Sequence, residues 1–190
     1  MANNCCPLAL NNLLKGGCDA YRAGLLDEIY VVSRCNIDTI TSSTNDKEYD
    51  DIVMKIDAAT TAPFYWFRIQ FKKNTAGLTS EAQIGVTKHF NQSITFQYEG
   101  ITKESLEVLQ SMITGEAVFI AKDYSGKAHL LGRVGGLEME ASTTGTGAGA
   151  DDMYGSEVTF SGLEPEMHNL IATGTTIEVW NGTTTDTVAL

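Results

Sequence analysis

The sequence predicts a mainly β fold: a β-sandwich or partly closed barrel of about eight strands, packed by one α-helix. Three observations lead there. Short runs rich in β-branched and aromatic residues, many alternating apolar with polar, recur along the chain. Gly, Asn and Asp punctuate these runs at turn-like intervals. A single stretch, Lys103 to Thr114, carries the 3.6-residue apolar spacing of a helix. With 190 residues, 43% hydrophobic and 19% charged, the chain has the composition and length of one folded domain with a real core.

Residues 1–20 read as an N-terminal arm with a short apolar segment, Leu8 to Leu14, ended by Gly16-Gly17; residues 21–190 read as the single β-rich domain. Leu26 to Arg34 (LDEIYVVSR) is the first strand, and Ile37 to Ile40 continues it after a bend. Thr41 to Asp51 is polar and without apolar period, the pattern of a long exposed loop. Ile52 to Ile56 alternates as a strand. Phe64 to Lys73 (FYWFRIQFKK) is dense enough in aromatics to predict a strand with much of its surface covered, and its broken register suggests a bulge. Ser80 to His89 has both weak helical and weak strand signals, with Gly85 against an uninterrupted helix. Ser93 to Tyr98 is a clean strand.

The helix has Thr102 as N-cap, Glu104 in the first turn and Gly115 placed to end it in a left-handed conformation; its apolar face is Leu106, Leu109, Met112 and Ile113. Glu116 to Lys122 and Lys127 to Arg133 flank the turn Asp123-Tyr124-Ser125-Gly126. Gly135-Gly136 then breaks the chain before Leu137 to Ser142, and Ser156 to Leu163 (SEVTFSGL) alternates in the same way. Thr175 to Trp180 is a late strand, and Asn181-Gly182 suggests a type I′ turn into Thr183 to Leu190.

Acidic residues number 24 against 13 basic, a net charge of −11, which argues against a protein that grips nucleic-acid phosphates. Tyr65, Trp66 and Phe67 read as core or subunit interface, not as a base-stacking platform, because only Arg68, Lys72 and Lys73 lie close in sequence. The start lacks the basic n-region of a secretory signal, and no window approaches 18 apolar residues. Cys5, Cys6, Cys18 and Cys35 lack the paired spacing of a zinc site and read as reduced thiols. Asp46, Glu48, Asp50 and Asp51 lack the D-x-D-x-D-G calcium pattern and read as solvated acids.

His89, His129 and His168 are isolated from one another in sequence and form no H-x-x-x-H or H-E-x-x-H pattern, so no catalytic constellation is predicted. Gly145 to Gly149 lacks the Lys-Ser/Thr of a P-loop and is followed by Asp151-Asp152, which would repel phosphate. No cofactor, metal or enzymatic activity is expected.

The segment from Ile101 to Pro165 resembles the C-terminal half of tail tube (major tail) proteins of tailed bacteriophages. The residues that carry the resemblance are Asp123 and Gly126 of the D-x-x-G turn, Leu130 to Arg133 (LLGR), Gly136 to Glu138 (GLE), Gly145 to Gly149, and Tyr154 to Pro165 (YGSEVTFSGLEP). The resemblance implies a virion protein, assembled in the host bacterial cytoplasm, whose copies form hexameric rings stacked into a hollow tail tube. Its partners would be itself, the tape measure and terminator proteins, and DNA only as non-specific passing cargo, with no membrane. It further implies an inter-ring loop at 41–57, with Asp46, Glu48, Tyr49, Asp50 and Asp51 as contact residues. Glu138, Glu140 and Glu157 alternate with core positions on adjacent strands and are expected to face the lumen. Two alternatives remain at this point: another tail ring component such as a neck or terminator protein, and a monomeric β-sandwich module binding a small molecule or carbohydrate.

Overall fold

A computed structural model describes residues 24–42, 48–85, 87–147 and 154–190. The predicted N-terminal arm, with Cys5, Cys6 and Cys18, lies outside the described residues. The architecture is built on β1 (Leu25–Ser33) and β8 (Ala117–Asp123), which pair antiparallel at the middle of a large sheet. Their sequences are near-continuous apolar runs because both faces are covered. Ile29, Val31, Phe119 and Ala121 point into one core, while Tyr30, Val32, Val118 and Ile120 point into a second core on the other side.

Around this pair the sheet extends to eight strands, in the order β14 (Thr185–Ala189), β13 (Thr176–Trp180), β5 (Trp66–Gln70), β1, β8, β9 (Ala128–Leu131), β12 (Asn169–Ile171), β3 (Glu48–Tyr49). Within it, β13 runs parallel to β5 and β12 parallel to β3. The sheet curls around the second core, which is closed by a two-stranded hairpin of β2 (Ile37–Thr41) and β4 (Asp51–Met54) through Ile40, Ile52 and Met54. The first core is closed by a four-stranded sheet, ordered β10 (Glu138–Gly145), β11 (Gly155–Glu164), β7 (Lys88–Glu99), β6 (Gly77–Ile84). Phe160 is the hinge of that core: fully buried, its ring lies 6.3 Å from Phe96 and 4.8 Å from Phe119, so it joins the two sheets.

The helix α1 (Lys103–Met112) follows β7. Thr102 caps it, accepting from the Ser105 amide while the Ser105 hydroxyl accepts from the Thr102 amide. It docks by Leu109 and Met112 alone; Leu106 and Ile113, expected on the buried face, are 43% and 59% exposed. The helix stops at Met112, and Gly115 is not among the glycines of positive φ.

The β-rich class with one helix is as predicted, whereas the strand count is higher because several strands are short or were hidden. Ser80 to His89 resolves into the end of β6, a turn at Gly85 and the start of β7. The pairs between β3 and β12 join two-residue segments that only tertiary contact makes strand-like. No bulge interrupts the pairing of β5 with β1; the irregularity sits in β1 against β8, between Leu25 and Ile29. The C-terminal hairpin has a four-residue loop in place of a type I′ turn, with Trp180 opposite Thr185 and the Asn181 side chain accepting from the amides of Thr183 and Thr184.

Candidate functional site

The four-stranded sheet shows how its sequence sets two different faces. Ile94, Phe96, Val158 and Phe160 turn inward. Outward, the register aligns polar residues in rows: Thr79, Ser93, Ser161 and Glu138 in one, Thr95, Thr159 and Ala141 in the next, Gln97, Glu157 and Thr143 in a third. Cross-strand hydrogen bonds stitch these rows together, Thr79 to Ser93 at 2.9 Å, Thr95 to Thr159 at 3.0 Å, and the Gln97 amide donating to Glu157 at 3.2 Å. The result is a hydroxyl- and carboxylate-bearing wall without a cation directly on it among these positions.

Glu138, Glu140 and Glu157 are all exposed. Register places Glu138 and Glu157 on the outward face, whereas strict alternation does not explain Glu140. The pairing of β10 with β11 shifts between Met139 and Ala141, leaving Glu140 as the extra residue of a bulge. Both outer strands of this sheet, β6 and β10, are eight residues long and have no strand partner on their outer edges among the described residues.

The residues expected in an inter-ring loop divide. Asp46 lies outside the described residues. Glu48 and Asp51 are exposed and Asp50 is half-buried, but Tyr49 is only 8% exposed. Its strand β3 pairs with Leu170 and Ile171, and the Arg133 guanidinium sits 5.0 Å from the centre of its ring. The expectation of one long exposed loop from Thr41 is therefore corrected: the chain folds back onto the large sheet at Tyr49, then returns as β4 opposite β2. What the hairpin leaves in solvent is Asp51, Val53, Lys55 and Ile56, the last 68% exposed.

The motif residues from Leu130 to Glu138 and Tyr154 to Pro165 form the junction where the chain leaves the large sheet for the small one. A Cβ on Gly162 would lie 2.6 Å from the Gly136 carbonyl, and Gly136 itself has φ +80° with Glu116 packed against it. Gly162 needs glycine because two backbones pass within contact distance there, and Gly136 because of its positive φ and the Glu116 Cβ 2.8 Å from where its own would stand. Glu164, 2% exposed, ends β11 with its carboxylate accepting from the amide of Val134 at 3.1 and 3.2 Å and from that of Gly135 at 2.8 Å. The carboxylate thus fixes the Gly-Gly break that starts β10.

Sequence reasoning missed an apolar groove between α1 and the β5 and β13 side of the large sheet. Its volume is about 520 Å³, and Phe67, Ile69, Val108, Met112 and Trp180 line it. Phe67 and Trp180 are 52% and 38% exposed, and Tyr65 stacks on Trp180 at 6.0 Å. The aromatic run of Phe64 to Lys73 is thus covered on its Trp66 side and open on its Phe67 side, contrary to the expected coverage.

Among the described residues no three His, Cys, Asp or Glu side chains gather as a metal site, and Cys35 is an exposed free thiol in the 3-10 turn after β1. No helix among them is long and apolar enough to cross a membrane. His129 and His168, far apart in sequence, do meet, with ring centres 5.1 Å apart. Searches of family models, curated proteins and solved structures return no match to this chain.

Proposed function

We propose that this chain is the repeating unit of a hollow tail tube, a structural virion protein of the tailed-bacteriophage kind. The observation that carries the reading is the small sheet: two eight-residue edges, β6 and β10, unpaired among the described residues, flank an outward face of Thr, Ser, Gln and Glu. An edge of that length is a template for another strand. Pairing β10 of one copy with β6 of the next is a head-to-tail contact, and head-to-tail contacts close into rings when the rotation fits. Such a ring would carry Glu138, Glu140 and Glu157 on its inner wall, where negative charge keeps DNA from adhering as it slides. The sequence resemblance over Ile101 to Pro165 supports the same reading and suggests hexameric rings, with the exposed side of the β2 and β4 hairpin reaching the next ring.

Negative-stain microscopy with sedimentation of the purified chain tests this. The expected result is rings or stacks about 100 Å across or less, from about six small domains around a channel. A single sedimenting particle of one chain's mass under every condition would overturn it. Stacks that end after one ring would favour a neck or terminator component instead.

A second reading, a monomeric binding module, draws support from the open aromatic groove at Tyr65, Phe67 and Trp180. It requires a chain that stays monomeric at high concentration and binds a ligand that quenches Trp180 fluorescence.

A further inference from the structure

A row of titratable groups runs across two strands of the large sheet and the segment that enters a third. His129 on β9 lies opposite Ala121 of β8 and Leu170 of β12. Asp123, two residues along β8, and His168, two residues before Leu170, therefore fall on the same face as His129. Asp123 Oδ2 is 3.2 Å from His129 Nε2, and the rings of His129 and His168 are 5.1 Å apart. Because a carboxylate only accepts, His129 donates to Asp123 through its Nε2–H and not through its Nδ1. That Nδ1 and the Nδ1 of His168 are both buried without a hydrogen-bond partner among the described residues, as are Ser80 Oγ and Arg133 Nε.

Hydrogen bonds and an ion pair link the segments that carry Ser80 and Arg133 to the approach to His168. Ser80 lies opposite the buried Gln92, which accepts from the Gly132 amide and donates to the Glu166 carbonyl. Arg133 pairs with the Glu166 side chain at 3.2 Å.

We propose that Asp123, His129 and His168 form an acid-sensitive latch that holds the segment entering β12 against the large sheet and lets go when His168 takes up a proton. A proton on either Nδ1 creates an N–H with no acceptor in a buried place. A positive charge on the His168 ring would lie about 5 Å, centre to centre, from the His129 ring.

The charged and titratable groups around the pair are few. Asp123 comes from β8, Arg133 from the end of β9, Glu166 from the approach to β12, and the exposed Glu48 from β3 on the same face as Leu170. Asp123 already serves His129 and the Ser125 and Lys127 amides, and Glu166 already serves Arg133. Burial, and next the neighbouring His129, hold the His168 proton affinity below that of an ordinary imidazole, and no carboxylate among Asp123, Glu166 and Glu48 is a cause of that shift. A depressed histidine value means the folded state takes up fewer protons than the unfolded one, so its stabilising contribution is complete above about pH 6.5 and is lost as pH falls.

The test is thermal unfolding of the full chain between pH 7.5 and 5.5 at fixed salt, for wild type, His168→Gln, His129→Gln and His89→Gln. The wild-type and His89→Gln proteins are expected to lose about 3 to 6 °C across this range. The His168→Gln protein should lose less than half of that. In parallel, an NMR titration of the wild-type imidazole protons should show His168 titrating below the ordinary imidazole value, with faster amide exchange at Leu170 and Ile171 at the acid end. Equal pH slopes for wild type and His168→Gln would overturn the latch. So would a His168 ring that titrates at or above the ordinary imidazole value of about 6.5, even if the variants fail to fold.

Discussion

Replacing Glu164 by alanine tests how the junction between the sheets is held. The carboxylate is 2% exposed and accepts from two backbone amides, Val134 and Gly135, with a shortest contact of 2.8 Å. A hydrogen bond to a charged acceptor contributes about 1.5 to 3 kcal/mol. Two of them give an upper bound near 6 kcal/mol, but Val134 is 47% exposed, so water can replace part of what its amide loses. We expect Glu164→Ala to cost about 3 kcal/mol, toward the lower end. Glu164→Gln keeps an acceptor without the charge and should cost about 1 kcal/mol. For a chain of this size these convert to melting temperatures lower by about 6 to 12 °C and 2 to 4 °C. The measurement is circular-dichroism melting at low protein concentration, because any assembly would raise the apparent stability by mass action. A Glu164→Ala protein that melts within 2 °C of wild type (about 1 kcal/mol or less) would refute the account of the carboxylate as the anchor of the Gly-Gly break.

Three further outcomes are expected. Phe160→Ala removes the ring that joins Phe96 to Phe119 in a fully buried site, and should cost about 3 to 5 kcal/mol in urea unfolding, with the slope unchanged. Tyr30 has its hydroxyl proton held up to about 12 by burial and by the neighbouring Glu28; since the folded state keeps a proton that the unfolded state releases above pH 10, stability should fall as pH rises through 10 to 12, and ultraviolet titration should show one tyrosine ionising last. Glu81→Pro and Ala82→Pro occupy adjacent positions of the edge strand β6, so one of them removes only an outward amide. That variant should melt like wild type and fail to form rings under the microscope, whereas intact rings in both would exclude the β6 edge from assembly.

The parts of the fold legible in the sequence are those whose pattern is local. Strands β8, β9, β11 and the capped start of α1 could be read because alternation, the Asp123 turn and the Thr102 cap are written within a few residues. Tyr49 could not be found, since it sits in a polar run and is buried only because Arg133 and the two-residue pairing to Leu170 and Ile171 reach it from far along the chain. The open side of Phe67 was hidden for the opposite reason: an aromatic on a central strand reads as core, and only the short reach of α1 leaves it uncovered. Glu138 and Glu157 were placed outward by alternation alone, while the bulge at Glu140 depends on the partner strand. The histidine pair is legible only once β9 and β12 are side by side.

The order of strands in the large sheet has a consequence for how the chain is made. Both of its flanks are completed by residues after Glu164: β13 and β14 close one side against β5, and β12 closes the other against β9 and recruits β3. A nascent chain from which residues beyond Glu164 have yet to emerge would present β5 and β9 as bare margins, so productive folding awaits the emergence of β12, β13 and β14. Chains cut short before Asn169 should accordingly go to inclusion bodies.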